Sequence, residues 1–247
     1  MAESALLETE LRYVTAAGAD VVTTLGAVDA ARVVSGRQVR PFHSRSGQGN
    51  YPGWLWTTTT RSLVGYESLL ERDRLWLADF DRDVCGIASQ PFWCRAVDEG
   101  VVRRHAPDFM LEHRDGSFLV VDVKPEHFLD HPKVSAVFAW TGRLCAARGW
   151  RYEVWSGAPE ALLANVRFVA AGRQVHVVAP EAVAAAAALD VQGLTIREAE
   201  SFLGSFDQSV VRRVALGMIW CRAWEVDMSV PLSASSVITG TTACEAA

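Results

Sequence analysis

The strongest constraint on the fold comes from two adjacent segments, HAPDFMLEH and SFLVVDVK, which are joined by Arg114-Asp115-Gly116. Each segment has the length and the apolar residues typical of a strand, and the glycine can adopt the positive φ that a tight hairpin turn needs. A three-residue loop makes His113 face Ser117, and the same register then places Asp108 directly opposite Asp122. A two-residue loop would instead turn Asp108 to the other side of the sheet.

In the first register the two aspartates share a face, with Cβ atoms roughly 5 Å apart. Two carboxylates at this distance repel each other unless a cation lies between them or one of them holds a proton. Oxygen ligands favour Mg²⁺, with Mn²⁺ as a substitute, and no cluster of His and Cys residues offers a zinc site. The alternative is a buried salt-bridge cluster at the end of the sheet.

Lys124 follows Asp122 by two residues, so both side chains project from the same face of the strand. Its ammonium group could orient an attacking water or stabilise developing negative charge. Of the 24 Lys and Arg residues, only Lys124 and Lys133 are lysines. A lysine retained in such an arginine-rich chain favours a place where a compact ammonium group is needed.

The rest of the chain predicts an α/β protein. Residues 11–40 alternate around Gly18 like a hairpin, and residues 40–60, RPFHSRSGQGNYPGWLWTTTT, have the composition of a long loop. A helical pattern from Val64 carries Glu67 and Glu71 on one face. Short strands follow, then a helix over 132–148 and the strand RYEVW. This order predicts a mixed sheet flanked by helices on both faces.

After about residue 170 the pattern becomes helical. TIRE at 195–198 has the form of a capping box, and Asp207 is placed to cap the next helix. We predict three segments: an N-terminal β hairpin and Arg/Trp-rich loop (1–60), a central core (61–170) and a mainly helical C-terminal module (171–247). A β wing could make this module resemble a winged helix.

Charge and cysteine content narrow the classes of protein. A net charge of -5 argues against a uniformly basic nucleic-acid coat protein, although a local arginine patch could still contact DNA. The five cysteines form no CxxC pair, and the acidic N-terminus does not have the pattern of a signal peptide. These features predict a cytoplasmic protein without a membrane span.

Pro107-Asp108 followed by Asp122-Val123-Lys124 matches the PD-(D/E)xK signature of restriction-endonuclease-like nucleases. YESLLERDRLWLADFDRDVCGIASQPF, then APDF and VVDVKP, resemble TnsA, the endonuclease subunit of heteromeric bacterial transposases. The resemblance is strong over about 64–155. The family's Ser-x-x-Glu acid maps onto Glu71, its second acid onto Asp108 and its lysine onto Lys124. Its QPF strand maps onto Gln90-Pro91-Phe92.

The resemblance implies a restriction-endonuclease-like fold and a Mg²⁺-dependent DNA endonuclease that cuts a strand of double-stranded DNA at transposon ends. The implied metal ligands are Glu71, Asp108 and Asp122, with the Val123 carbonyl as an extra ligand and Lys124 positioning water. The implied partners are an integrase-fold transposase subunit and an AAA+ regulator. Well-known members carry glutamine at the position of Asp122, and Glu67 could replace Glu71.

Two other functions fit the same residues. One is a restriction or repair nuclease of this fold, and the other is a non-catalytic DNA-binding or assembly subunit. The first would differ in its gene neighbours, and the second would bind no divalent metal at Asp108 and Asp122.

Overall fold

The computed structural model describes residues 3–40 and 51–243. The chain forms two compact units, Met1–Gly157 and Ala158–Ala247. The first unit contains, in chain order, α1 (Glu3–Leu7), β1 (Glu10–Val14), β2 (Asp20–Thr24), α2 (Ala30–Val34), β3 (Gly53–Thr57), β4 (Ser62–Tyr66), α3 (Leu69–Phe80), β5 (Val84–Ser89), β6 (Trp93–Asp98), β7 (Val101–His105), β8 (Phe109–His113), β9 (Phe118–Val123), α4 (Pro132–Arg148) and β10 (Arg151–Trp155).

Two four-stranded sheets organise this unit. The antiparallel sheet has the strand order β2-β1-β6-β7, and the mixed sheet has the order β10-β9-β8-β5 with β10 parallel to β9. The N-terminal hairpin therefore belongs to a larger sheet, because β1 pairs with β6. Helices and a mixed sheet confirm the predicted α/β, restriction-endonuclease-like fold class.

The β8–β9 hairpin has the predicted three-residue loop. His113 N donates to the Ser117 carbonyl, and Phe109 pairs with Val121 further along the ladder. Gly116 adopts a φ of 79°, the left-handed conformation that favours glycine at this turn. Helix α4 also has the predicted bounds, since Pro132 stands at its start and Gly149 ends it with a φ of 75°.

One apolar core joins the two sheets. Leu11 and Cys94 of the antiparallel sheet pack with Val120 of the mixed sheet and with Trp140 and Leu144 of α4. Helix α3 packs on β3, β4, β5 and β9. The core thus fixes the ends of β7, β8 and β9 relative to one another, and these ends carry the predicted site.

Two local predictions are wrong. The loop predicted through residue 60 contains β3, which pairs with β4 and closes a hairpin instead. Trp54-Leu55-Trp56 has the aromatic and apolar residues that fit a pleated surface, and its pairing partner outweighs the glycine-rich composition before it. The helix predicted from Val64 begins at Leu69 with Ser68 as its N-cap, so Glu67 precedes it. Residues 41–50 of the predicted loop lie outside the described chain.

The second unit is mainly helical. Its elements are α5 (Glu160–Val169), α6 (Val175–Val178), α7 (Pro180–Ala187), α8 (Ile196–Ser201), α9 (Gln208–Trp220), β11 (Trp224–Val226) and β12 (Ile238–Thr241). The capping box of α8 and the Asp207 cap of α9 are both as predicted. None of the helices in the described ranges is long and apolar enough to cross a bilayer.

Candidate active site

Asp108 lies where β8 begins, one residue before the regular ladder. Its backbone N–H donates to the Val121 carbonyl at 3.1 Å, although Val121 is already the partner of Phe109. Two consecutive residues therefore oppose one residue of β9, as in a β-bulge. The Asp108 carboxylate accepts a hydrogen bond from the Val123 N–H at 2.7 Å. This local irregularity directs Asp108 towards the end of β9.

The Asp108 carboxylate is held in an unfavourable electrostatic environment. Burial raises its pKa well above the ordinary value, and the negative charges of Glu71 and Asp122 raise it further. The Val123 N–H and the positive charge of Arg40 act in the opposite direction. The structure thus brings Asp108 within electrostatic range of both other predicted acids, and a nearby cation would favour its ionised form.

Glu71 stands in the first turn of α3, where it completes the helix cap. Its N–H donates to the Ser68 hydroxyl, and its carboxylate accepts from that hydroxyl at 2.9 Å and from the Glu67 N–H at 2.8 Å. Burial raises the pKa of Glu71, and the charge of Glu67 adds to this shift. Glu67 itself forms an ion pair with Arg40. Of these two acids, Glu71 is the one whose charge raises the pKa of Asp108.

Asp122 is almost fully buried and is bound by two residues that the sequence analysis did not identify as partners. His105 Nε2 lies 2.8 Å from one carboxylate oxygen, and the Tyr152 hydroxyl donates to the other at 2.6 Å. Tyr152 and its neighbour Glu153 must point to opposite faces of β10, and Glu153 forms an ion pair with Arg74 of α3. Asp122 therefore points away from the face on which α3 packs.

Lys124 follows β9 at the same end of the sheet. Its backbone N–H donates to the Trp155 carbonyl at 2.9 Å, and its ammonium nitrogen lies 5.4 Å from the centroid of the Phe128 ring. Within residues 3–40 and 51–243, no carboxylate forms an ion pair with this ammonium group. A lysine without a fixed anionic partner can interact with an anionic substrate.

Gln90 links the N-terminal segment to Asp108. Its N–H donates to the Asp108 carbonyl at 2.8 Å, and its own carbonyl accepts from the Val39 N–H at 3.0 Å. The residue is buried and has a φ of 43°, a conformation that costs a non-glycine residue about 1 kcal/mol. Neither polar atom of its side chain has a hydrogen-bond partner in the described chain.

Arg40 is the clearest residue that the sequence analysis missed. It pairs with Glu67, and its charge lowers the pKa of both Glu71 and Asp108. It lies in a segment without helical or strand periodicity, so only the tertiary fold brings it to the site.

The donor atoms suit a hard divalent cation in part. Glu71 and Asp108 provide buried carboxylate oxygens, and each such oxygen has a second lone pair beyond its hydrogen bond. Both oxygens of Asp122 already contact His105 or Tyr152. Among the residues described, no three His, Cys, Asp or Glu side chains are arranged to hold a metal ion. The predicted ligand set of Glu71, Asp108, Asp122 and Val123 stays a prediction.

Comparison with known families gives one match. Residues 81–157 match the model of the TnsA-like endonuclease N-terminal domain, and this segment contains Asp108, Asp122 and Lys124. The similarity to TnsA-like endonucleases that the sequence predicted is therefore confirmed for this part of the chain. The match supports a nuclease of the Tn7 transposase type. No curated protein matches the chain.

Proposed function

We propose that this protein is a metal-dependent DNA endonuclease that acts as the TnsA-like subunit of a heteromeric transposase and cleaves one strand at transposon ends. The observation that carries the proposal is the pair formed by Asp108 and Glu71. Both carboxylates have raised pKa values, and Asp108 lies within the segment that matches the family. Buried acids of this kind are typical of sites that hold a catalytic cation.

We assign each residue a role in phosphodiester hydrolysis. Glu71 and Asp108 would hold Mg²⁺, or Mn²⁺ in its place, and Asp122 and the Val123 carbonyl are the further predicted ligands. The bound metal would lower the pKa of a water and polarise the scissile phosphate. The Lys124 ammonium stabilises the negative charge that develops on the phosphate oxygens and helps to position the attacking water. Hydrolysis leaves a 3′-hydroxyl and a 5′-phosphate.

The partners belong to the same proposal. We infer an integrase-fold transposase that cuts the other strand and an AAA+ regulator, because TnsA-like subunits work in such assemblies. Genes for these two proteins beside the gene for this chain would distinguish a transposase subunit from a restriction or repair nuclease of the same fold.

The test compares Asp108→Asn with Asp115→Asn. Both substitutions change aspartate to asparagine in the β8–β9 hairpin, but Asp115 lies in the exposed turn. We expect Asp108→Asn to reduce Mg²⁺-dependent nicking of a transposon-end duplex by about 100-fold or more, because a ligand charge is lost. Asp115→Asn should nick like the wild type.

The assay includes the partner transposase, since such a subunit can be silent alone. Circular dichroism checks that both variants are folded, and calorimetry with Mn²⁺ should show weaker binding by Asp108→Asn only. Undiminished cleavage by folded Asp108→Asn would refute the assignment.

One observation favours a second candidate, a non-catalytic DNA-binding subunit with a nuclease fold. The carboxylates of Glu71 and Asp122 are both satisfied by protein donors, so they do not require a metal to be stable. This candidate predicts that neither the wild type nor an Asp108→Ala/Asp122→Ala variant binds Mn²⁺ in the calorimeter. Heat of binding that disappears in the double variant would exclude it.

A further inference from the structure

The outer face of the antiparallel sheet carries a cluster of arginines around a tryptophan. We call Arg12, Trp93, Arg95 and Arg104 the arginine face; together with Glu10 they line one shallow concavity. Register explains their proximity: Arg12 pairs with Trp93, and Arg95 pairs with Arg104. Residues directly opposite on neighbouring antiparallel strands point to the same side of the sheet.

Two of these arginines form no ion pair with a carboxylate in the described chain. Arg95 and Arg104 are exposed and stand directly opposite each other, an arrangement that destabilises a sheet when both residues have the same charge. Arg12 is paired with Asp20, whereas no carboxylate in the described chain forms an ion pair with Arg95 or Arg104. Glu10 faces Arg95 across the ladder without an ion pair. An anionic ligand would relieve this repulsion.

The contacts of the Trp93 ring indicate which anion can bind to the arginine face. The Arg104 guanidinium carbon lies 3.9 Å from the centroid of the Trp93 ring, and that of Arg40 lies 6.0 Å away. The ring therefore holds the Arg104 guanidinium and has less surface free for stacking a nucleic-acid base. Guanidinium groups held in this way suit the phosphates of a duplex, which present charge without exposed bases.

The arginine face is connected to the candidate active site through Arg40. Arg104 and His105 are neighbours on β7, so they point to opposite sides of the strand, and His105 contacts the Asp122 carboxylate. Arg40 lies near Trp93, pairs with Glu67 and lowers the pKa of Asp108. His105 and Asp122 thus lie on the other side of β7 from the arginine face, and Arg40 is the residue that connects this face to the acids.

We propose that the arginine face binds the sugar–phosphate backbone of double-stranded DNA beside the phosphodiester to be cleaved, with Arg95 and Arg104 as its phosphate-binding residues. Choosing DNA as the anion rests on the proposed function. The contacts are with the backbone and not with base edges, so they position the duplex without reading its sequence.

The experiment measures binding of the full chain to a fluorescent duplex of about 30 base pairs at several salt concentrations. An Arg95→Ala/Arg104→Ala variant is compared with Arg32→Ala/Arg151→Ala, which removes the same charge from exposed arginines outside the face. All proteins also carry Asp108→Asn, so that the duplex stays intact. Loss of both phosphate contacts should weaken binding about tenfold or more and reduce the slope of log K against log salt by about 2 units. The control should bind like its parent.

Equal loss of affinity in both double variants would mean that net charge alone matters, and unchanged affinity of Arg95→Ala/Arg104→Ala would mean that DNA binds elsewhere. Either result overturns the proposal. It is also overturned if the variant loses binding to a single strand but not to the duplex, or loses only capture of the partner transposase.

A melting curve separates misfolding from lost contacts. The Arg95→Ala/Arg104→Ala variant should melt within a few degrees of its parent, because removal of the repulsion across the ladder offsets loss of the contact between Arg104 and Trp93. Binding needs no cleavage, so this test can fail while the nuclease assignment stands. Conversely, full cleavage by Asp108→Asn would refute the nuclease assignment, and the binding comparison would then be repeated in EDTA, where metal-dependent cleavage is absent.

Discussion

At the scale of single residues, the environment of Asp122 is made by side chains from other strands. Gly116 and the strand lengths set the register as far as the pairing of Phe109 with Val121, but they do not predict the irregularity at Asp108 that directs its carboxylate. The partners of Asp122 could not be predicted in this way. His105 and Tyr152 reach it from two other strands, β7 and β10, and strand order depends on long-range packing that leaves no local pattern.

Lys124 offers a matched test, because the chain has only one other lysine. Lys124→Arg keeps the charge but replaces a compact ammonium group with a planar fork of different size and geometry. We expect nicking to fall by about 100-fold, since charge stabilisation in the transition state depends on position. Lys133→Arg, at the exposed start of α4, should have no effect. Single-turnover cleavage measures both, and wild-type rates for Lys124→Arg would contradict the role.

Gln90 combines a strained backbone with a buried side chain whose polar atoms have no hydrogen-bond partner among the described residues. Gln90→Met keeps its length and removes the two polar groups that lack partners in the described chain. Burying an unpaired polar group costs about 1–3 kcal/mol, so the variant should be at least as stable as the wild type. Nicking should nevertheless fall about tenfold if the amide contacts substrate or water at the site. Urea unfolding and nicking are measured together, and a loss of stability would show that the amide is satisfied in the folded protein.

At the scale of elements, boundaries follow from sequence where caps and turns mark them. Helix α4 is marked by Pro132 and Gly149, and the helix in the second unit by Asp207. Strand β3 could not be predicted because the sequence of its partner β4 resembles the start of a helix. Tyr66 fits the spacing of a helix as well as that of a strand, and its pairing with Gly53 places it in a strand. Local periodicity is ambiguous for such short apolar segments.

Asp98 connects the β6–β7 hairpin to α4 through hydrogen bonds. It is buried and accepts hydrogen bonds from Arg103 and Arg143. Asp98→Ala should destabilise the protein by about 2 kcal/mol, the size expected for charged hydrogen bonds to a buried group. Asp20→Ala removes an exposed partner of Arg12 and should change stability little. Urea unfolding at neutral pH compares the two variants. Equal losses of stability would refute the stabilising role of the Asp98 hydrogen bonds.

The stability that Asp98 contributes depends on pH in a definite direction. Burial alone would raise the pKa of Asp98, but the hydrogen bonds from Arg103 and Arg143 outweigh it, so that its pKa lies below the ordinary value of 3.8. A lowered pKa means that the ionised form stabilises the folded state. The difference in the free energy of unfolding between wild type and Asp98→Ala should therefore have its full size at pH values above 3.8. It should decrease as the pH falls through the folded-state pKa of Asp98.

At the scale of the whole molecule, the segment that matches the family is shorter than the structure that supports its site. Residues 81–157 contain Asp108, Asp122 and Lys124, but Glu71 and Arg40 precede them. β1 also precedes this segment, and β6 loses a ladder partner without it. No local pattern in the sequence predicts this pairing, because β1 and β6 are far apart along the chain.

The two compact units make a prediction about fragments. Residues 1–157 contain both four-stranded sheets and should fold alone, giving a cooperative melting transition by circular dichroism. Residues 81–157 should not, because they lack β1, α3 and the core side chains Leu11, Tyr13 and Val33. A matched fragment, residues 10–157, lacks only α1 and tests whether the sheets suffice. Cooperative folding of the fragment 81–157 would show that β6 is stable as an edge strand without β1. An unfolded fragment 1–157 would show that the first unit needs the rest of the chain to fold.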